Sequence, residues 1–174
     1  MGFFVEQQTE LANWVQEWRR EQRIDPILCD NTTHFYLVDK SLSQFSDSLI
    51  EHAKYDIFVT NPFVKRCFLS DTLMKMSEKG VSVYLLTRNV EPQQYKNELL
   101  AKGVKILYDE SIHAKLIVVD QRIAIVSSMN FYAGSSAGAS WEAGMATTDK
   151  NVVREIVRSI IKKNDTILSA QQIE

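Results

Sequence analysis

The sequence has few of the features that mark secreted, metal-stapled or membrane-spanning proteins. Of its 174 residues only two are cysteines, Cys29 and Cys67, and neither lies in a Cys-x-x-Cys motif or a Cys/His cluster. A disulfide framework and a structural zinc site are therefore not expected, and a cytoplasmic location is. The amino terminus lacks the basic and apolar regions of a signal peptide. No apolar run approaches the ~20 residues that a transmembrane helix requires, so stable membrane association is not expected.

A strong charge of one sign is also missing. Lysine and arginine number 20 and aspartate and glutamate 22, which gives a net charge of −2. A wholly basic surface is excluded, whereas a local basic patch is not. The chain also lacks internal repeats, low-complexity tracts and linkers. Its length predicts a single domain over residues 1–174, with an N-terminal helix in residues 1–24 and a core in residues 34–163.

Hydrophobic periodicity predicts alternating helices and strands. Helices are expected over residues 5–22, from a cap at Ser41 or Ser43 to residue 53, and over residues 65–79, 92–102 and 150–163. Strands are expected over residues 34–38, 55–60, 81–87, 104–108, 114–119, 122–127 and 143–147. Such alternation is typical of an α/β protein, an α-β-α sandwich with helices on both faces of a sheet. The run of strands near the carboxyl terminus predicts a mixed central sheet.

Two side chains of complementary chemistry stand at the start of one predicted strand. In an extended strand, residues i and i+2 point to the same face, so His113 and Lys115 are expected to project side by side. Burying either group unpaired is costly, so the pair is a poor choice for a core. The pair suits an anion, because the lysine supplies charge and the histidine supplies a nucleophile or a proton.

Further polar groups follow the next predicted strand. Ser128 and Asn130 share a face, and a hairpin through Asp120 would bring both to the rim where the histidine and lysine emerge. A hydroxyl, an amide, an ammonium and an imidazole together suit a tetrahedral phosphate. Glu142 lies in an otherwise apolar stretch, where its carboxylate is placed to accept the second ring N–H of a histidine. The small-residue loop of residues 131–140 is expected to border this site.

These residues belong to a longer pattern that resembles the phospholipase D-like superfamily. The octapeptide HAKLIVVD, which ends at Asp120, matches the H-x-K-x4-D signature of that superfamily. The segment from Ser127 to Asn130 is in register with its G-S-x-N, and Glu142 falls at its later acidic position. The segments YDIFVTNPF and VSVYLLTR resemble its earlier strands. Ser127 replaces the usual glycine and Ser140 a frequent asparagine, departures that bear on substrate fit and not on reaction type.

The resemblance implies a phospholipase D-like fold and a two-step transfer that uses no metal or cofactor. One histidine attacks the phosphorus and forms a phosphohistidine, and a second protonates the leaving oxygen and then activates water. His113 corresponds to the histidine of the family motif. Lys115 and Asn130 are implied to hold the phosphate and to stabilise the charge that develops on it. Ser128 assists, and Asp120 is implied to be structural. Because the chain has one such motif, two subunits must share a site across a two-fold axis, which predicts a homodimer.

Three substrate classes remain open at this point. A nuclease acting on DNA or RNA is favoured by the small, single-motif chain, which resembles the compact endonuclease branch of the superfamily. A lipid phosphodiesterase or phosphatidyl transferase is the second interpretation, with aromatic residues near the loop of residues 131–140 available to meet lipid. A nucleic-acid-binding module that retains the motif without turnover is the third. Intact motif residues favour an enzyme over such a module.

Several basic residues have two interpretations. Asn61, Lys65 and Arg66 follow a predicted strand, where they either line a substrate channel or form a turn and a solvated helix start. The last helix carries a basic residue at every fourth position, namely Lys150, Arg154, Arg158 and Lys162. A second cluster consists of Arg19, Arg20 and Arg23. Each set either follows a polyanion backbone or forms a solvated helix face.

Overall fold

The fold is that of a computed structural model, which describes residues 13–15, 17, 20–21, 27–29 and 32–171. Residues 13–15, 17 and 20–21 are helical, and the rest of the N-terminal helix predicted over residues 5–22 lies outside the described residues. The further helices of the described chain are α1 (Asp39–Glu51), α2 (Phe68–Glu78), α3 (Gln93–Ala101), α4 (Ala133–Ser136) and α5 (Lys150–Gln171). The strands are β1 (Ile27–Cys29), β2 (Thr32–Val38), β3 (Asp56–Thr60), β4 (Phe63–Lys65), β5 (Ser82–Thr87), β6 (Asn89–Glu91), β7 (Lys105–Tyr108), β8 (Leu116–Val119), β9 (Ile123–Ser127) and β10 (Ala143–Thr147).

Eight strands form one mixed sheet in the order β1-β2-β10-β9-β8-β3-β5-β7. β3 and β5 pair in parallel, as do β5 and β7, whereas the other neighbours pair antiparallel. β4 and β6 form a separate parallel pair. The mixed sheet that the sequence predicts is therefore confirmed.

One face of the sheet is covered by α1, α2 and α3. Leu42, Phe45 and Leu49 recur at helical spacing along α1 and are buried. They join one core cluster with the inward-facing strand residues Ile117 and Ile125. Alternate residues of a strand point to opposite faces, so the residues between them need a second cover.

The opposite face is covered by the carboxyl-terminal helix α5. Val153 and Val157 of this helix share a second cluster with Val118 of β8 and Ala124 of β9. The two clusters lie on the two sides of the same strands, which makes the α-β-α sandwich that the sequence predicts. Among the helices described within residues 13–171, none is long and apolar enough to cross a membrane.

The sequence missed short elements and shifted some boundaries. β1, β4 and β6 have three residues each and were not predicted, because so short a run carries no readable periodicity. The loop expected over residues 131–140 contains the one-turn helix α4. α5 runs to Gln171, well beyond the expected end at residue 163.

The ends of several strands meet at one edge of the large sheet, here called the site edge. Thr60, the last residue of β3, pairs with Leu116, the first residue of β8. Leu116 pairs in turn with Val126, near the end of β9. Ala143 begins β10 opposite Val38, the end of β2. Residues that follow β2, β3, β5 and β9, and residues that precede β8 and β10, therefore share the site edge.

Candidate active site

The structure brings five of the six predicted site residues to the site edge. His113 and Lys115 precede β8, Ser128 and Asn130 follow β9, and Glu142 directly precedes β10. The β8–β9 hairpin causes this convergence, since it places the segment before one strand beside the segment after the other. The sixth residue, Asp120, lies in the turn between β8 and β9, at the opposite edge of the sheet.

The expectation that His113 and Lys115 lie on a strand is wrong. β8 begins one residue after Lys115, and residues 112–115 have irregular backbone. The neighbouring strand β3 ends at Thr60. The Ala114 carbonyl therefore accepts a hydrogen bond from the Thr60 side-chain hydroxyl, at 3.2 Å, in place of one from the β3 backbone. His113 is exposed and Lys115 is half-buried, with its Nζ donating to the His113 carbonyl at 3.2 Å.

The irregular segment is held from its amino-terminal side by a charged cluster. The carboxylate of Asp109 accepts the backbone N–H of Ser111 at 2.7 Å and the Nζ of Lys163 at 2.9 Å. The Ser111 hydroxyl donates to the same carboxylate. These bonds, Ser111 foremost and then Lys163, lower the pKa of Asp109 to about 2. Ile112 is buried in the α5 cluster, so the segment before His113 is fixed by both charge and packing.

Glu142 is buried and bound by two serine hydroxyls. Ser128 donates to one carboxylate oxygen and Ser135 to the other. The Ser128 hydroxyl also accepts the N–H of Ala143 at 3.1 Å, and the Ser135 hydroxyl accepts the N–H of Asn130 at 2.9 Å. One carboxylate thereby fixes both segments that flank the site edge.

The backbone of Glu142 is clamped to the end of β2. Its N–H donates to the carboxylate of Asp39 at 3.0 Å, and its carbonyl accepts the N–H of Asp39 at 2.8 Å. Asp39 has a φ of 48°, a left-handed conformation that aspartate tolerates better than most residues. Within the described residues no hydrogen bond joins Glu142 to His113. Among the described residues, this carboxylate is therefore bound by serines and not by a histidine.

Asn130 presents an unsatisfied acceptor at the site edge. Its Oδ1 is buried and has no hydrogen-bond partner among the described residues. Its neighbours along the chain are held by Asn61, whose Nδ2 donates to the Met129 carbonyl at 3.1 Å and whose Oδ1 accepts the Phe131 N–H at 3.3 Å. Asn61 is itself buried. It therefore supports the asparagine segment and does not line an open channel.

Asp120 ties the hairpin turn to the start of β3. It has a φ of 51°, and its carboxylate accepts the backbone N–H groups of Lys54, Tyr55 and Asp56 at distances from 2.7 to 3.2 Å. Burial raises the pKa of Asp56, and the nearby charge of Asp120 adds to the rise. These contacts lie at the edge opposite the site edge, and they stabilise the fold by joining the hairpin turn to the start of β3.

The serine at the family's glycine position has a compensating neighbour. Ser127 pairs with Gly144 across β9 and β10. A Cβ at position 144 would lie 2.7 Å from the Ser127 Cβ and 2.9 Å from the Val126 carbonyl oxygen. The glycine on the partner strand therefore provides the space that Ser127 occupies.

Most of the basic residues singled out in the sequence are neutralised or remote. Lys65 pairs with Glu91, and Arg66 pairs with Asp71 and Glu98. The stripe on α5 is solvent-exposed. Of the N-terminal cluster, the structure describes only the residue at position 20, which is exposed. The solvated-surface interpretation therefore fits most of these residues better than a substrate channel does.

Sequence reasoning missed four residues that build this site. Ser135, Asp39, Asp109 and Lys163 all bind site segments directly, yet none lies in the signature. A small-residue loop after the serine-asparagine motif was the available signal for Ser135. The other three are recognisable only after folding, since Lys163 lies 54 residues from its partner.

Comparison with known proteins assigns most of the chain to a family. A family model described as "Cardiolipin synthase, PLD-like domain" matches residues 47–163. No curated protein sequence matches the chain significantly.

Solved structures with low sequence identity share the fold. Nuc, a phospholipase D family member from Salmonella typhimurium, is 16% identical with a TM-score of 0.66, and the match covers 74% of this chain and 91% of Nuc. NucT from Helicobacter pylori is 14% identical with a TM-score of 0.64, over 80% of this chain and 97% of NucT. Phosphatidylserine synthase from Haemophilus influenzae Rd KW20 is 14% identical with a TM-score of 0.59, over 80% of this chain and 40% of the synthase. Since the family model matches more than half of the chain, the protein belongs to the phospholipase D-like family.

Proposed function

We propose that the protein is a metal-independent phosphodiesterase and, within that class, a nuclease that cleaves DNA or RNA. The observation that carries the proposal is the convergence of His113, Lys115, Ser128 and Asn130 at one edge of the sheet, in the order of the family signature. The exposed imidazole is accessible to a large substrate. The Oδ1 of Asn130 is buried without a partner, and its NH2 group forms no hydrogen bond among the described residues, so the NH2 group is available to donate toward a phosphate oxygen.

Each step of the proposed reaction uses groups at the site edge. A neutral histidine forms a bond to phosphorus while the bond from phosphorus to the leaving oxygen breaks, and a second, protonated histidine gives its proton to that oxygen. The second histidine then takes a proton from water, whose oxygen displaces the first histidine from phosphorus. Lys115 and Asn130 stabilise the negative charge that builds up on the phosphoryl oxygens. Ser128 and Glu142 position the asparagine segment through their hydrogen bonds.

A second histidine must come from a second copy of the chain, and an apolar surface beside the site supports this assembly. Met145 of β10 lies directly opposite Tyr36 on one side and Val126 on the other. All three are about half exposed, at 53%, 50% and 47%. This row, with Trp141 at 76% exposure, adjoins the segments that carry Ser128 and Glu142. An apolar row of this kind is costly to leave in water and is typical of an interface.

The dimer is tested by light scattering at working concentration. Wild type is expected to be dimeric. Met145→Lys is expected to shift the protein toward monomer, and activity is expected to fall in step with the measured molecular mass. Leu168→Lys, at an exposed leucine of α5, is the matched control and leaves both unchanged. A monomeric, active wild type would contradict the shared site.

A lipid phosphodiesterase is the second candidate. The matching family model carries the name of cardiolipin synthase, and one structural neighbour is a phosphatidylserine synthase. The exposed Trp141 beside the site edge suits a lipid surface as well as a protein partner. A non-catalytic nucleic-acid-binding module is the third candidate, and turnover distinguishes it from the other two.

The test is cleavage of single- and double-stranded DNA, RNA, a simple aryl phosphodiester and anionic phospholipid vesicles in excess EDTA. Wild type is compared with His113→Ala and with His52→Ala, a control at an exposed histidine at the end of α1. Cleavage of nucleic acid that survives EDTA and is lost only in His113→Ala supports the proposal. Turnover of vesicles alone supports the lipid candidate, and binding to oligonucleotides without turnover supports the binding module.

A further inference from the structure

We propose that Phe63 and Arg88 form a subsite that stacks an unpaired nucleobase beside the scissile phosphate. The inference rests on the proposed nuclease function and names its substrate class, a nucleic acid strand with unpaired bases. Both residues follow strands that end at the site edge, Phe63 after β3 and Arg88 after β5. Neither belongs to the signature.

The small β4–β6 pair carries this subsite up to Asn130. Val64 of β4 forms a parallel bridge with Phe131, and the N–H of Lys65 donates to the Phe131 carbonyl at 2.8 Å. Val64 and Phe131 are both buried and so face inward. In the register of this bridge, Phe63 precedes Val64 as Asn130 precedes Phe131, so Phe63 and Asn130 lie on adjacent segments, away from the buried pair. Phe63 is exposed and Asn130 is half-buried. Adjacent strands lie about 4.8 Å apart, so the backbone of Phe63 lies beside that of the asparagine proposed to hold the phosphate.

Arg88 adds a positive charge beside the exposed ring of Phe63, and the two side chains together are here called the platform. Phe63 is 42% exposed, and the Arg88 guanidinium carbon lies 5.3 Å from its ring centroid. The nearby cations Lys65 and Arg66 are paired with carboxylates. No carboxylate among the described residues forms an ion pair with Arg88. An exposed aromatic ring with an uncompensated arginine beside it is therefore available to a ligand.

The chemistry of this platform favours a nucleobase over a lipid headgroup. Bases stack on aromatic rings and on the planar guanidinium group, and arginine also pairs with phosphate. A headgroup of glycerol or serine has no planar ring to stack. Bases inside a duplex are already stacked and paired, so the platform is accessible only to unpaired bases.

The test compares substrates that do and do not carry a neighbouring base. The variants Phe63→Leu and Arg88→Gln are assayed on a single-stranded oligonucleotide, on the same sequence as a duplex, and on a simple aryl phosphodiester. Tyr55→Leu and Arg154→Gln are matched controls, because both are exposed residues away from the site edge. Phe63→Trp keeps a stacking surface. Binding of the oligonucleotide is also measured by fluorescence anisotropy in a His113→Ala background, which separates affinity from turnover.

Phe63→Leu is expected to lower kcat/KM for the single-stranded oligonucleotide on the order of tenfold, the usual effect of losing one stacked base. The affinity of the protein for this oligonucleotide is expected to fall by a similar factor. Arg88→Gln acts in the same direction, Phe63→Trp restores the wild-type value, and the aryl phosphodiester is turned over as by wild type. DNA and RNA oligonucleotides run in parallel show whether the sugar matters. Equal losses on the oligonucleotide and the aryl phosphodiester would overturn the subsite, as would no loss on the oligonucleotide.

Failure of the subsite and failure of the nuclease function give different results. If wild type neither cleaves nor binds oligonucleotides, both proposals are wrong, and the wild-type protein is enough to show it without any variant. If wild type cleaves oligonucleotides and the variants match it, the nuclease stands and the subsite falls. Loss of vesicle hydrolysis in Phe63→Leu, with oligonucleotides uncleaved throughout, would assign the aromatic residue to lipid and contradict the inference.

Discussion

The Nζ of Lys163 lies 2.9 Å from the carboxylate of Asp109, and this contact joins the carboxyl-terminal helix to the segment that carries His113. The Lys163 Nζ also donates to the Ser111 hydroxyl at 2.7 Å. Residues 112–115 lie outside β8, and the Lys115 carbonyl accepts the Ser127 N–H at 3.2 Å, so the position of the segment depends largely on contacts of this kind. Helix α5 thus supports the site from a distance as well as covering the sheet.

Replacing Asp109 with Asn is expected to lower the free energy of unfolding in a pH-dependent way. The pKa of Asp109 is lowered from 3.8 to about 2, so its charged form stabilises the fold above pH 3.8. That contribution disappears as pH falls from 3.8 to about 2, the window set by the unfolded and folded values. Urea unfolding of wild type and Asp109→Asn, repeated from neutral to acidic pH, measures the difference. A difference that stays constant through this window would contradict the role of the carboxylate charge.

Asp120 is expected to contribute to stability and not to the chemical step. Asp120→Ala leaves backbone N–H groups at the start of β3 without their acceptor, at a cost of about 1–3 kcal/mol. Asp120→Asn keeps one acceptor oxygen and tolerates the left-handed φ, so a smaller loss is expected. Chemical unfolding measures the loss, and kcat of the folded protein should match wild type. A variant of normal stability with no activity would instead place Asp120 in the reaction.

Ser135 is expected to connect site geometry with stability. Ser135→Ala removes a donor to the buried Glu142 carboxylate and an acceptor for the Asn130 N–H, at a cost of about 1–3 kcal/mol. Because Asn130 loses its support, kcat should fall with stability. Ser136→Ala is the matched control, since Ser136 is equally buried but bonds to the carbonyl of Tyr132. Equal effects of the two variants on kcat would show that Ser135 has no special role.

Gly144 is expected to be required because of Ser127. Gly144→Ala places a Cβ 2.7 Å from the Ser127 Cβ, and overpacking of this kind costs about 1–3 kcal/mol. Adding Ser127→Gly should restore part of that loss, because the clash with the Val126 carbonyl at 2.9 Å remains. A double-mutant cycle by chemical unfolding measures the coupling. Strict additivity of the two substitutions would mean that the serine and the glycine do not depend on each other.

The sequence predicted the parts of the fold that local patterns control. Long apolar runs such as residues 116–119 and helical stripes such as that of α1 are repeated signals, so their element types were correct. The position of His113 was predicted less well, because strand pairing stops where β3 ends and a hydroxyl of Thr60 replaces it. The supports from Asp109, Lys163 and Ser135 depend on residues that meet only in three dimensions. Sequence patterns therefore identified the residues that meet at the site edge better than they identified the residues that support them.

The most direct test of the proposed mechanism is to trap the covalent intermediate on His113. The protein is mixed with a labelled oligonucleotide in excess EDTA, quenched in alkaline denaturant to protect a phosphohistidine, and mapped by mass spectrometry. We expect one half of the substrate to be bound through phosphorus to the peptide that contains His113, and no such adduct in His113→Ala. EDTA-resistant turnover without any adduct on that peptide, or an adduct that persists in His113→Ala, would contradict histidine-based phosphodiester cleavage.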